Sequence, residues 1–117
     1  MLRKLDEAEC SYLMAHGEFS AQVLSAADRV AVVLTQSWCP QWQMLRSWLE
    51  GWAQEPAAAL FYVEYDRESY FEPLMLFKEN HFDNRTIPYI RYYAAGQLAG
   101  ESNFIGRQQF ARKWLGR

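Results

Sequence analysis

The stretch "QSWCPQWQML", residues 36–45, decides how this chain is read. It begins inside the end of "RVAVVLTQS", residues 29–37, a β-branched run of strand length that does not alternate. A run of that kind fits a strand buried on both faces, as in a parallel α/β sheet. Pro40 then suits the first turn of a helix, where its missing N–H leaves no intrahelical bond unmade. Trp42, Leu45, Trp48, Leu49 and Trp52 follow at helical spacing, with Arg46 and Glu50 off that stripe. Cys39 therefore lies between the end of a buried strand and the start of a helix. Unpaired backbone N–H groups and the helix dipole favour an anion at such a place, which suits a nucleophilic thiolate.

The same patterns extend outward in both directions. Residues 1–16 lean helical, with Leu2, Leu5, Glu9, Tyr12, Leu13 and His16 at three- and four-residue steps; a short strand over residues 12–14 is the alternative. Gly17 breaks this segment, and residues 19–27 read as a second helix carrying Phe19, Val23 and Leu24 on one stripe. Pro56 closes the helix that Pro40 opens. "LFYVEYD", residues 60–66, is the next strand, and residues 70–82 form a helix with Pro73 in its first turn. After a loop at residues 84–86, residues 89–93 and 98–102 form a hairpin around a turn containing Gly96. Residues 107–115 close the chain as a helix with Phe110, Trp114 and Leu115 facing inward. Strand, helix and strand in this order imply a right-handed parallel crossover, to which the hairpin adds antiparallel strands. The expectation is an α/β fold with a central mixed sheet and helices on both faces. It is read as one domain over residues 1–117 with an N-terminal helical extension.

Composition narrows the function classes. The 117 residues are half hydrophobic, 22% are charged and the formal net charge is −2. Such a chain can bury one core but is neither a disordered acidic tail nor a basic nucleic-acid binder. The basic start, Met1 to Lys4, leads into Asp6, Glu7 and Glu9 rather than an apolar segment, and no apolar run approaches a membrane span. A soluble cytoplasmic protein is expected. Two cysteines, Cys10 and Cys39, do not make a disulfide framework. No metal-ligand spacing, phosphate-cradling glycine loop or serine nucleophile elbow is present, so neither a metal nor another cofactor is expected. Five Trp, seven Tyr and seven Phe supply most of the core and leave room for an apolar surface patch, hence for a monomer or a weak homodimer.

These features together resemble the thioredoxin family. "SWCPQW" stands where that family has strand, Trp-Cys, two residues, Cys and helix. "TIPY", residues 86–89, resembles the segment whose cis proline faces the active-site cysteine; "YYAAGQLAG" resembles the following hairpin and "FIGRQQF" the step into the last helix. The landmarks keep the family order over residues 19–115. The resemblance implies a thioredoxin-like fold, Cys39 as the catalytic nucleophile, and a partner groove shaped by Trp38, Pro40, Gln41, Trp42, Thr86, Ile87 and Pro88.

Three departures qualify that implication. Trp42 replaces the second, resolving cysteine. Val33 stands where the family buries an aspartate that manages the resolving cysteine's proton, and Tyr62 where a lysine often pairs with that acid. Without a resolving thiol, Cys39 cannot expel a bound substrate internally, and another thiol must clear the mixed disulfide. Thr-Ile-Pro also resembles the glutathione-binding turn of glutaredoxins, but Gly106-Arg107-Gln108 does not match their glycine pair and aspartate.

Two function readings follow. In the first, Cys39 performs monothiol thiol–disulfide exchange with protein or peptide partners, glutathione among the candidates. In the second, the groove binds a protein segment and Cys39 is a small hydrophobe under its tryptophans. Trp42 itself reads equally as the start of the core stripe or as an exposed shelf beside Trp38. Arg85 reads as a solvated loop residue or as a cation beside Cys39. Arg91 interrupts a strand expected to be central, and an exit to water at the sheet end is expected for it.

Overall fold

The computed structural model describes residues 2–52 and 55–116. The outermost residues of the expected domain, and part of the segment between Trp52 and Pro56, lie outside the described residues. The elements are β1 (Leu2–Lys4), α1 (Glu7–His16), α2 (Ala21–Leu24), β2 (Arg29–Thr35), α3 (Pro40–Trp52), β3 (Ala58–Glu64), α4 (Phe71–His81), β4 (Tyr89–Ala94), β5 (Gln97–Ser102) and α5 (Arg107–Leu115), with a 3₁₀ turn at Tyr65–Arg67. The sheet order is β1-β3-β2-β4-β5. Strands β1, β3 and β2 run parallel, while β4 and β5 are antiparallel to their neighbours. This is the mixed α/β sheet expected from the sequence.

Residues 30–35 of β2 are buried, which is why that strand reads as a continuous apolar run. Its side chains alternate between two cores. Val30, Val32 and Leu34 face Leu5, Cys10, Leu13, Phe61 and Leu74. Ala31 and Val33 face Cys39, Trp42, Leu45, Leu49, Phe110 and Trp114. Helices α1 and α4 thus cover one face of the sheet, and α3 and α5 the other. The β4–β5 hairpin turns at Ala95 and Gly96, both with positive φ (50° and 78°), a conformation that suits glycine and that the strand twist requires.

Three expectations need correction. The helix expected over residues 1–16 starts only at Glu7. Leu2–Lys4 form an edge strand on β3, and Asp6 stops the helix from extending back. The Asp6 carboxylate accepts from the Glu9 N–H, and the Glu9 side chain accepts from the Asp6 N–H. The second helix is a single turn, Ala21–Leu24, rather than residues 19–27.

Arg91 does not escape to water; it is only 8% exposed. Its guanidinium donates to the hydroxyls of Tyr93 and Tyr89 at 2.8 and 2.9 Å and to Glu18 Oε2 at 2.9 Å, and it lies 4.1 Å over the Phe82 ring. Tyr93 in turn donates to Glu18 Oε1 at 2.6 Å. A central-strand cation is tolerated here because every face of its fork meets an acceptor or a ring.

Candidate functional site

Strand β2 hands the chain to α3 through residues 36–39, and this turn is fixed from the neighbouring strand. The backbone N–H and hydroxyl of Ser37 donate to the two oxygens of Asp66 at 2.7 and 2.5 Å. The Gln43 side chain donates to the Ser37 carbonyl at 3.1 Å. Asp66 lies in the 3₁₀ turn after β3, so the crossover strand holds the loop that presents Cys39. Pro40 is the first residue of α3, as its sequence position predicts.

Around this junction the side chains divide sharply. Trp38 is 62% exposed, and its indole N–H donates to Gln36 Oε1 at 2.6 Å. Cys39 is 4% exposed, with its Sγ 3.9 Å from the Ile87 carbonyl oxygen. The Ile87–Pro88 peptide bond is cis. Ile87 is half-buried and Pro88 buried, while Pro40, Gln41 and Thr86 are exposed. Cys39, with Trp38, Pro40 and Gln41 beside it in the chain, therefore meets the 86–88 turn across a short gap.

Trp42 is not part of an exposed shelf. It is fully buried in the layer that contains Val33, Cys39 and Leu45. Its ring lies 5.6 Å from that of Tyr62, and its indole N–H donates to Glu64 Oε2 at 2.8 Å. Burial of a large ring is favoured when its one polar atom finds an acceptor, and Glu64 at the end of β3 provides it. Arg46 lies 3.4 Å from the same carboxylate oxygen and stacks 5.0 Å over Tyr62. Val33 and Tyr62 are register partners across β2 and β3. The three departures from the resembled pattern thus pack as one unit beneath Cys39, with no second thiol in it. Cys10 lies in the core on the opposite face of the sheet. It is a free cysteine whose thiol burial pushes up to about 11.

Comparison with solved structures decides the fold. Thioredoxin O1 from Arabidopsis thaliana, in its oxidised state, matches with a TM-score of 0.68 at 12% identity, over 95% of this chain and 92% of that one. Mitochondrial thioredoxin 3 from Saccharomyces cerevisiae, in its oxidised form, matches at 0.64 and 14%, over 83% and 86%. A mutant thioredoxin from Halobacterium salinarum NRC-1 matches at 0.63 and 19%, over 93% and 82%. The chain has the thioredoxin fold. No family model matches it, and no curated protein matches it. Among the described residues no group of three or more acidic, cysteine or histidine side chains is arranged to hold a metal ion, and no helix is long and apolar enough to cross a membrane.

Within this thioredoxin fold the 86–88 turn is tied down by side chains that the sequence did not single out. Asn103, just after β5, donates from Nδ2 to Asn84 Oδ1 at 3.0 Å and to the carbonyls of Thr86 and Pro88 at 3.0 and 3.1 Å. Asn84 returns a bond from Nδ2 to Asn103 Oδ1 at 3.1 Å and accepts from the Thr86 N–H at 3.1 Å. From inside, Lys78 donates to the Asn84 carbonyl at 2.9 Å. The only local signal was a pair of asparagines flanking a hairpin, and no periodicity connects them. Arg85 pairs with Glu79 at 3.0 Å on the surface.

Lys78 is 1% exposed, and burial lowers its ammonium to about 8, with Glu79 acting weakly in the other direction. A lysine with a depressed value loses its proton in the folded state before the unfolded one. Its burial penalty is full below about pH 8 and is relieved as pH rises towards the ordinary lysine value. The raised Cys10 thiol works oppositely, removing stability as pH climbs above the ordinary thiol range. The comparison with a Lys78→Met variant isolates the lysine. From about pH 7 to about pH 9 the urea midpoint of the parent is expected to rise relative to that of the variant. Parallel midpoints across that range count against the buried ammonium.

Proposed function

We propose that this protein performs monothiol thiol–disulfide exchange through Cys39, with protein or peptide thiols and disulfides as partners and glutathione as a candidate small thiol. The observation that carries the reading is the position of Cys39. It directly precedes the first residue of α3 beside exposed Trp38, with Sγ facing the Ile87 carbonyl across the partner-side turn. In the exchange step the Cys39 thiolate attacks one sulfur of a partner disulfide. A Cys39–partner disulfide forms, and the other partner sulfur leaves as a thiolate. Trp42 fills the position from which a second thiol would attack, so an external thiol completes the cycle by attacking the mixed disulfide and releasing Cys39. The protein then transfers a thiol group and does not itself reduce a disulfide. The proposed setting is a reducing cytoplasm, with residues 1–117 acting as one domain.

Mass spectrometry of the chain after incubation with oxidised glutathione and with peptide disulfides tests this. The expected result is one adduct per chain, located on Cys39 and absent from Cys39→Ser. A second reading, a groove that only binds a peptide, is favoured by one observation: the Cys39 side chain is 4% exposed while Trp38 is 62% exposed. That reading predicts no adduct and partner binding that survives Cys39→Ser.

A further inference from the structure

We propose that Asn103 is a positioning residue for this site, fixing the one backbone group that the 86–88 turn offers to an incoming peptide. The inference rests on the thiol-exchange reading above and concerns what controls the choice of substrate.

The bonding pattern carries the argument. The Asn103 amide has two N–H groups, and its nitrogen lies within 3.0–3.1 Å of three acceptors: Asn84 Oδ1 and the carbonyls of Thr86 and Pro88. The two carbonyls it holds flank Ile87. The carbonyl between them, that of Ile87, faces Cys39 Sγ at 3.9 Å. The Thr86 and Pro88 carbonyls and the Thr86 N–H are thus tied down and the Ile87 carbonyl accepts from the Cys39 thiol, so the Ile87 N–H is the backbone polar group of the turn left to meet a partner. An extended peptide docks on exposed backbone by main-chain hydrogen bonds. A fixed partner group lowers the ordering entropy of that encounter. Lys78 anchors the assembly through the Asn84 carbonyl, and Asn84 Oδ1 receives the Thr86 N–H, so the turn is held from its interior and from β5 together.

The effect depends on donors, not on bulk. Asn103→Asp keeps the size and replaces the two N–H groups with an oxygen that faces two carbonyls and the Asn84 oxygen. Asn103→Ala removes the side chain.

The test uses the full chain in a Cys10→Ser background. The probe is a short extended peptide whose single cysteine is blocked as a disulfide with thionitrobenzoate. Cys39 attacks the peptide sulfur, the Cys39–peptide disulfide forms, and the thionitrobenzoate anion leaves and is read by absorbance. Iodoacetamide, which needs no backbone docking, is the comparison reagent. Asn103→Asp and Asn103→Ala are expected to slow the peptide reaction about tenfold, the scale of one or two lost hydrogen bonds. They are expected to leave iodoacetamide alkylation within about twofold, a change too small to reflect a lost hydrogen bond. A purely structural role would lower both rates together, and that result overturns the proposal, as does an unchanged peptide rate in either folded variant. If the parent itself leaves the peptide reagent untouched, the exchange reading falls and the proposal with it. An active parent with unaffected variants removes the proposal alone.

Discussion

Trp42→Ala lowers the unfolding free energy by about 4 kcal/mol, the scale for deleting a fully buried indole and leaving a cavity. A domain of this length is stable by roughly 5–15 kcal/mol, so the variant sits near the edge of folding. The reason is local. Trp42 is 0% exposed, packs on Tyr62 and Leu45's layer, and satisfies Glu64. Trp42→Phe keeps the six-membered ring but loses the pyrrole part of the indole and its bond to a carboxylate, for a smaller loss of about 2 kcal/mol. Urea unfolding separates the two. An exposed control, Leu98→Ala at 47% exposure, moves stability by less than about 0.5 kcal/mol. A Trp42→Ala loss as small as the control's would mean that the indole does not fill the space beneath Cys39.

Glu18→Leu is expected to destabilise more than Arg91→Met, although Arg91 is the more buried partner. The Glu18 side chain is 37% exposed and the Arg91 side chain 10%. Removing Glu18 leaves a buried cation facing two tyrosine hydroxyls, with the Glu101 carboxylate reached only through Tyr89. That costs about 2–3 kcal/mol, below the usual range for a fully buried pair because Glu18 is partly solvated. Removing Arg91 lets Glu18 turn to water while still accepting from Tyr93, and a methionine fills part of the space, for about 1 kcal/mol. The unfolding midpoints of the two variants decide this. The reverse order would show that Arg91 contributes by packing over Phe82 rather than by its ion pair.

The elements legible in the sequence are those whose signal is local. The β2 run, Pro40 opening α3 and Gly96 in the hairpin turn each state their structure within a few residues. The position of Cys39 followed from the first two. What stayed hidden depends on distant partners. Strand β1 has three residues and one apolar side chain, and it becomes a strand only because β3 offers an edge. Glu18, which neutralises Arg91, is 73 positions away in sequence. Trp42 fitted both a core stripe and a surface shelf, because the stripe alone does not say which way its first residue faces. The Glu64 acceptor that settles the matter lies on another strand. Lys78 gave no sign of burial, since its role is to reach a backbone carbonyl in the next loop. Departures from the resembled pattern were visible singly at positions 33, 42 and 62. Their packing into one unit came only with the register of β2 on β3.

The most direct test of the account is the lifetime of the Cys39 mixed disulfide. The chain is loaded with a peptide disulfide, freed of excess reagent, and followed by mass spectrometry with and without added thiol. The account predicts an adduct that persists without added thiol and is released at a rate proportional to the external thiol concentration, because Trp42 stands where a resolving thiol would be and Cys10 lies across the sheet. Release at a rate independent of external thiol, or no adduct at all, would contradict it.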